Sequence, residues 1–320
     1  MKRRSLLAAG LAVPLTALDR FDDALALLPA PADAPTPARL RGQYRAARTL
    51  FNRGALPDLL ATAEACATDG VAAGYARLAA CYDLATETLA KVGRYSASRI
   101  TADRSNTYAR LSGDALAGAA SARVFSIVLR HQDRAATAQR VTLHAAAQVE
   151  ATGLTTPAQA ATFAQMLCTV AYAAAEAGDR DRALEMIRDA ERAAALLPEP
   201  AAGPQPFDVT PPSVTLYRVG VLWSLGDAGA AVHAGRNLRA AQFPTAERRG
   251  RLHSDLARAY WRWGKPEQTA QALLAAHRAA PSEVRDRPSI RAIVTDLAQR
   301  HPHTSGVREL VATARLRPVS

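Results

Sequence analysis

Arg251, Arg258 and Arg262 recur at intervals of seven and four, so a helix would carry them as one stripe with Trp261 beside it. Guanidinium groups grip carboxylates through paired N–H bonds, and an indole supplies a flat apolar anchor. That stripe could hold an acidic partner. Asp83 and Glu87 stand four apart on one helix face, a spacing that could serve as general acid and base. Nothing in the sequence closes a pocket over them, so catalysis is not expected. His301 and His303 have no third ligand nearby and read as a surface loop rather than a metal site. His131, His144, His233, His253 and His277 sit singly on predicted helices, as packed or surface residues. Cys66, Cys81 and Cys168 fall in alanine-rich helical segments, as small core residues; none forms a CxxC pair. The chain has no GxGxxG after a strand, no GxxxxGK[ST], no HExxH and no GxSxG. No enzyme, cofactor or metal is expected.

The elements that must position these residues are helices. Of 320 residues, 74 are alanine and only 5% are aromatic. Sandwiches and barrels draw on β-branched and aromatic residues, so the composition favours an all-α chain. An apolar share of 49% argues against disorder. The net charge is +11, carried by 37 arginines and three lysines. The arginines are scattered among acids, as in Gly178-Asp179-Arg180-Asp181-Arg182, so most are read as solvated or intramolecular. Direct DNA binding by so basic a chain would be non-specific and steeply salt-dependent. No apolar run reaches the roughly 18 residues of a membrane span.

The breaks between helices are periodic. In HSDLARAYWRWGKPEQTAQALLAAHRAAP (253–281), Leu256, Ala257 and Tyr260 share one face, Gly264 ends the helix, Pro266 opens the next, and Pro281 ends it. LCTVAYAAAEAGDRDRALEMIRDAERAAALLP (167–198) repeats the plan around Gly178. Weaker copies lie at 78–112 around Gly93, at 115–152 with a turn near His131-Gln132-Asp133, at 213–243 around Gly226, at 284–316 split by His301-Pro302-His303, and at 38–68 broken at Gly54. These units resemble the tetratricopeptide repeat. The resemblance implies about seven stacked antiparallel helix pairs over residues 38–317, wound into a right-handed superhelix with a concave inner face.

In that repeat, first-helix positions two, five, nine, twelve and thirteen point into the groove. Setting each turn glycine as position fifteen then implies which residues face inward. Gly264 selects Arg251, Ser254, Arg258, Trp261 and Arg262; Gly178 selects Gln165, Cys168, Tyr172, Ala175 and Glu176. Gly93 selects Asp83, Glu87 and Lys91, and Gly226 selects Leu216 and Trp223. The groove candidates are therefore Arg251, Arg258, Trp261, Arg262, Tyr172, Glu176, Asp83, Glu87 and Trp223. The bland alternative is that they meet the next helix or solvent. Trp263 is expected in the core.

YARLAACYDLATETLAKVGRYSASRITADRSNTYARLSGD (75–114), together with segments 156–187, 214–231, 243–281 and 283–310, resembles the repeat region of actinobacterial XRE-type helix-turn-helix transcriptional regulators. There the repeats are taken to be the sensing or partner-binding module behind a DNA-binding head. The resemblance spans roughly residues 40–312 and does not include that head. It implies a peptide or protein partner in the groove, DNA contact only through a missing or separate helix-turn-helix domain, a cytoplasmic location and possible oligomers. Two alternatives stand beside it: a stand-alone cytoplasmic scaffold or adaptor, and an exported repeat protein. For the latter, MKRRSLLAAGLAVPLTAL (1–18) resembles a twin-arginine signal, although Asp19, Arg20, Asp22 and Asp23 follow where a cleavage site would be expected. Residues 1–37 are read as an apolar, basic segment ending in the stiff linker PAPADAPTP (29–37).

Overall fold

The computed structural model describes residues 35–50, 55–67, 71–197 and 207–314. The arginine pair at the N-terminus, its apolar stretch and the Gly54 break lie outside these residues. The described residues form fifteen α-helices and no strand. They are α1 (Pro37–Leu50), α2 (Leu56–Cys66), α3 (Ala72–Lys91), α4 (Tyr95–Ser112), α5 (Ala115–Arg130), α6 (Ala135–Glu150), α7 (Pro157–Glu176) and α8 (Arg180–Ala195). Beyond the proline-rich stretch come α9 (Pro211–Ser224), α10 (Ala228–Gly235), α11 (Ala246–Arg262), α12 (Pro266–Ala279), α13 (Pro281–Arg285), α14 (Pro288–Arg300) and α15 (Val307–Thr313).

Helices pack in neighbouring pairs: α3 with α4, α5 with α6, α7 with α8, α9 with α10, α11 with α12. The first helices also touch one another from pair to pair, α3 against α5, α5 against α7, α7 against α9, α9 against α11. Local chemistry sets the boundaries. Thr156 caps α7 in a reciprocal capping box with Gln159, followed by Pro157 in the first turn. Thr210 and Ser213 do the same for α9, and Thr245 accepts from the Arg248 N–H to start α11.

One turn is used five times. After α7, the Asp179 N–H reaches the Ala174 carbonyl (2.9 Å) and the Gly178 N–H reaches Ala175 (3.2 Å), with Gly178 at φ +80°. This pair of bonds closes the helix only if the residue between adopts a left-handed backbone, which glycine does without steric cost. Gly93, Gly226 and Gly264 repeat it. After α5 the same turn is made by Asp133, at φ +57°.

Alanine lets the paired helices approach closely. Ala171, Ala174, Ala183 and Ala190 are fully buried between α7 and α8, with Ile187 filling the seam. The α9–α10 unit is shorter than its sequence suggests: α10 has eight residues and is followed by a 3-10 turn at Ala240–Gln242. Pro281 does not merely end α12; it starts the one-turn α13. Trp263 is a correction. It follows the last turn of α11 and is 49% exposed, with the Lys265 ammonium over its ring at 5.4 Å. The helix ends before the indole can turn inward.

The chain also meets itself across a long sequence interval. Lys91, at the end of α3, forms an ion pair with Glu247 at the start of α11 and lies 3.9 Å from Glu283 on α13. Beside it, Gly93 approaches Pro288 so closely that an added Cβ would stand 2.8 Å from Cγ. Helix α1 packs against α11 as well as α2. Among the described residues, no helix is long and apolar enough to cross a membrane.

Candidate ligand cavity

The first helices of five pairs, together with α1 and the start of α14, enclose a cavity of about 750 Å³. Asp83 and Glu87 come from α3, Tyr172 and Glu176 from α7, Trp223 from α9, Arg251 and Arg258 from α11, and all seven line it. Trp261 and Arg262 do not. Trp261 packs with the α12–α14 core and meets His301 edge-on at 6.1 Å; exposed Arg262 donates to the Trp223 carbonyl at 3.1 Å. Both sit in the last turn of α11, past the end of the cavity wall.

The turn-anchored register explains the pattern. The three residues selected from Gly93, Asp83, Glu87 and Lys91, all line the cavity. Counting from Gly178 keeps three (Gln165, Tyr172, Glu176), from Gly226 only Trp223, Leu216 being buried in the core instead, and from Gly264 two (Arg251, Arg258). Sequence reasoning missed Arg123, Arg130, Arg248 and Arg287. The signal for the first two was present. With Asp133 in the glycine place, the same count selects Ala120, Arg123, Ile127, Arg130 and His131, which all line the cavity.

The cavity wall is a lattice of ion pairs. Arg123 pairs with Glu87, and Arg130 with Glu176 at 2.7 Å while its guanidinium covers the Tyr172 ring at 4.9 Å. Asp255, 1% exposed, takes Arg251 at 2.7 Å and Arg258 at 2.6 Å. Arg258 also donates to Ser289 at 2.9 Å and covers Trp223 at 5.4 Å. It is 9% exposed and ties α11 to α14. Glu283 receives Arg287 at 2.5 Å and Ser254 at 3.2 Å.

Burial and charge pull the titrations apart. Burial pushes the Asp83 carboxyl up to about 7; its bonds from Ser105 and Ser121 oppose the shift and neighbouring Glu87 adds to it. For Glu87, burial again favours the neutral acid, but Arg123 and Lys91 outweigh it and hold the carboxyl below its usual range. Tyr217, on α9, is pulled down to about 8: burial would raise it, yet Arg123, Arg248 and Arg251 prevail. The buried Cys168 thiol is pushed up to about 12 by desolvation, which leaves it a poor nucleophile at neutral pH.

One donor in the wall lacks a partner. The Trp223 indole N–H is buried and makes no hydrogen bond. Phe207 and Tyr172 add apolar surface. Among the described residues, no group of three His, Cys, Asp or Glu side chains is arranged to hold a metal ion. The arrangement is suited to binding: fixed guanidiniums and aromatic walls around a space fit for a small ligand. In the comparisons with known proteins, no family model and no curated protein matches the chain.

Proposed function

We propose that this chain is a ligand-binding module of the helical-repeat type, with the interior cavity as its binding site. The observation that carries this is the convergence of first helices from five pairs on one polar and aromatic space of about 750 Å³. Ligand sites commonly span roughly 300–1,000 Å³, enough for a small organic molecule or a few peptide residues. The right-handed superhelical winding expected of tetratricopeptide-like arrays belongs to this reading: the shared wall of first helices would be the inner face. The resemblance to XRE-type regulators suggests the role of a sensor, in which an occupied cavity favours one arrangement of the pairs and passes it to a DNA-binding partner. An adaptor that clasps a long protein segment fits less well, because Lys91, Glu247, Gly93 and Pro288 bring the ends of the wall together.

The test is to fill the cavity. Ala120→Trp places an indole in the wall from the middle of α5. With circular dichroism unchanged, compounds from a panel of small aromatic acids, amines and alcohols that raise the melting temperature of the native chain should fail to do so for the variant. Compounds that bind both proteins equally would locate binding elsewhere and overturn the proposal.

A further inference from the structure

The cavity is charged unevenly, and its unevenness names a ligand class. Five of the arginines that line it gather around the start of α11: Arg123 from α5, Arg248, Arg251 and Arg258 from α11, and Arg287 just before α14. The carboxylates in ion-pair reach of them, among the described residues, are Glu87, Glu247, Asp255 and Glu283. Two of these four, Glu247 and Glu283, also serve Lys91. Asp255 is divided between two arginines. Within this group five arginines and Lys91 therefore meet four carboxylates.

The surplus is concentrated. Arg248 has the loosest ion pair of the five, 3.6 Å to Glu247, and its guanidinium lies over the Tyr217 ring at 5.8 Å. Arg123, across the cavity, covers Phe207 at 5.7 Å. Two helices also begin here: Thr210 and Ser213 open α9, and Thr245 opens α11, all at the cavity surface. Their N-terminal N–H groups add partial positive charge. The Tyr217 hydroxyl registers the resulting field, since Arg123, Arg248 and Arg251 together overcome its burial. Like charges held together in a partly dry space are costly unless an anion joins them.

We infer that the cavity takes a small organic oxyanion, its carboxylate or phosphate head between Arg123, Arg248 and Arg251 and its apolar body toward Phe207, Tyr172 and Trp223. The inference rests on the binding role proposed above and adds the chemistry. Forked guanidinium donors match the paired oxygens of either head group. The body would lie against aromatic faces.

The probes are phenylacetate, phenyl phosphate and, as the neutral match, benzyl alcohol, titrated calorimetrically into the full chain and into Arg248→Gln. At least one anion should bind roughly tenfold or more tightly than the alcohol, and Arg248→Gln should remove roughly a tenfold advantage, as expected for a charge-assisted bond. The better of the two anions assigns the head group. A second readout locates the event. Phenolate absorbance in the free protein should show a step near pH 8 that Tyr217→Phe abolishes. A bound anion should move that step upward, because a nearby negative charge disfavours the phenolate. Arg248→Gln that fails to fold is replaced by Arg248→Lys, which keeps the charge and loses the fork. Equal binding of alcohol and anion, with Ala120→Trp still blocking both, would overturn the oxyanion and leave the cavity as a site. Anion binding that leaves the Tyr217 step unmoved would overturn it too. No binding of any probe, with other compounds still blocked by Ala120→Trp, would likewise remove the oxyanion alone.

Discussion

The seams α3/α4 and α7/α8 share a turn and a leading helix of twenty residues, yet they are held by different forces. Between α7 and α8 the contact is apolar throughout, with Ile187 set among Ala171, Ala174, Ala183 and Ala190. Between α3 and α4, and on to α5, buried hydroxyls and one acid run through the seam. Thr86 donates to Thr101 at 2.8 Å, and Asp83 accepts from Ser105 and Ser121. At its outer end, the Tyr82 hydroxyl donates to Glu64 at 2.6 Å, with Tyr108 stacked at 5.8 Å. Periodicity places small residues at a helix contact whether they are Ala or Ser. It does not say whether the contact will be dry or hydrogen-bonded, and only the second kind can respond to pH.

Four substitutions sharpen the contrast. The largest effect belongs to the apolar seam. Ile187→Ala leaves a void among rigid alanines and should cost about 2–5 kcal/mol in denaturant melts, by the same amount at pH 5 and pH 8. A pH-dependent loss there would break the distinction between the seams. The next is Asp83→Asn. The native carboxyl titrates near 7, well above the ordinary aspartate value of 3.8, so the folded protein holds its proton more tightly than the unfolded chain. Stability due to this site is therefore present at low pH and lost as pH rises through about 4 to 7. Asp83→Asn should leave stability nearly unchanged near pH 4 and raise it at pH 8. The gain should be a few kcal/mol at most, because each tenfold difference in proton affinity between folded and unfolded chain is worth about 1.4 kcal/mol. Equal effects at both pH values, in denaturant melts, would show that the acid is not buried as described. The smallest is at the turn after α5. Asp133→Gly should stabilise by about 0.5–1 kcal/mol, since it relieves a left-handed aspartate, whereas Gly178→Ala should destabilise by about 1 kcal/mol. Matched urea melts of the two variants would show it, and the same sign for both would contradict the shared turn.

These seams also show what the sequence reveals. The helical character, the pairing and the five turns follow from alanine, periodicity and the breaks, four of them marked by glycine and one read near His131-Gln132-Asp133. The register anchored on those glycines brings Asp83, Glu87, Tyr172, Glu176, Trp223, Arg251 and Arg258 to one cavity. It loses accuracy at the last turn of α11, where Trp261 and Arg262 extend past the wall. It overlooks Arg123 and Arg130 because an aspartate stands where a glycine marks the other turns. Arg248 and Arg287 lie outside the counted positions, one near the start of α11 and one just before α14. Their convergence depends on where α11 and α14 come to rest against α3, a long-range fact that no local period encodes. The arginine stripe reads as a grip for a partner, but Arg258 is largely spent on Asp255 and Ser289 inside the protein.

The Lys91–Glu247 contact carries a consequence for how the molecule assembles. Helical repeats fold quickly because nearly every contact is between near neighbours in sequence. Here 156 residues separate the two partners, so their meeting must await the placement of every pair between them. The encounter should form late in folding and part early in unfolding. A chain whose pairs could otherwise zip up one by one thus gains a final slow step, and relaxation kinetics should slow at the stage that joins α3 to α11.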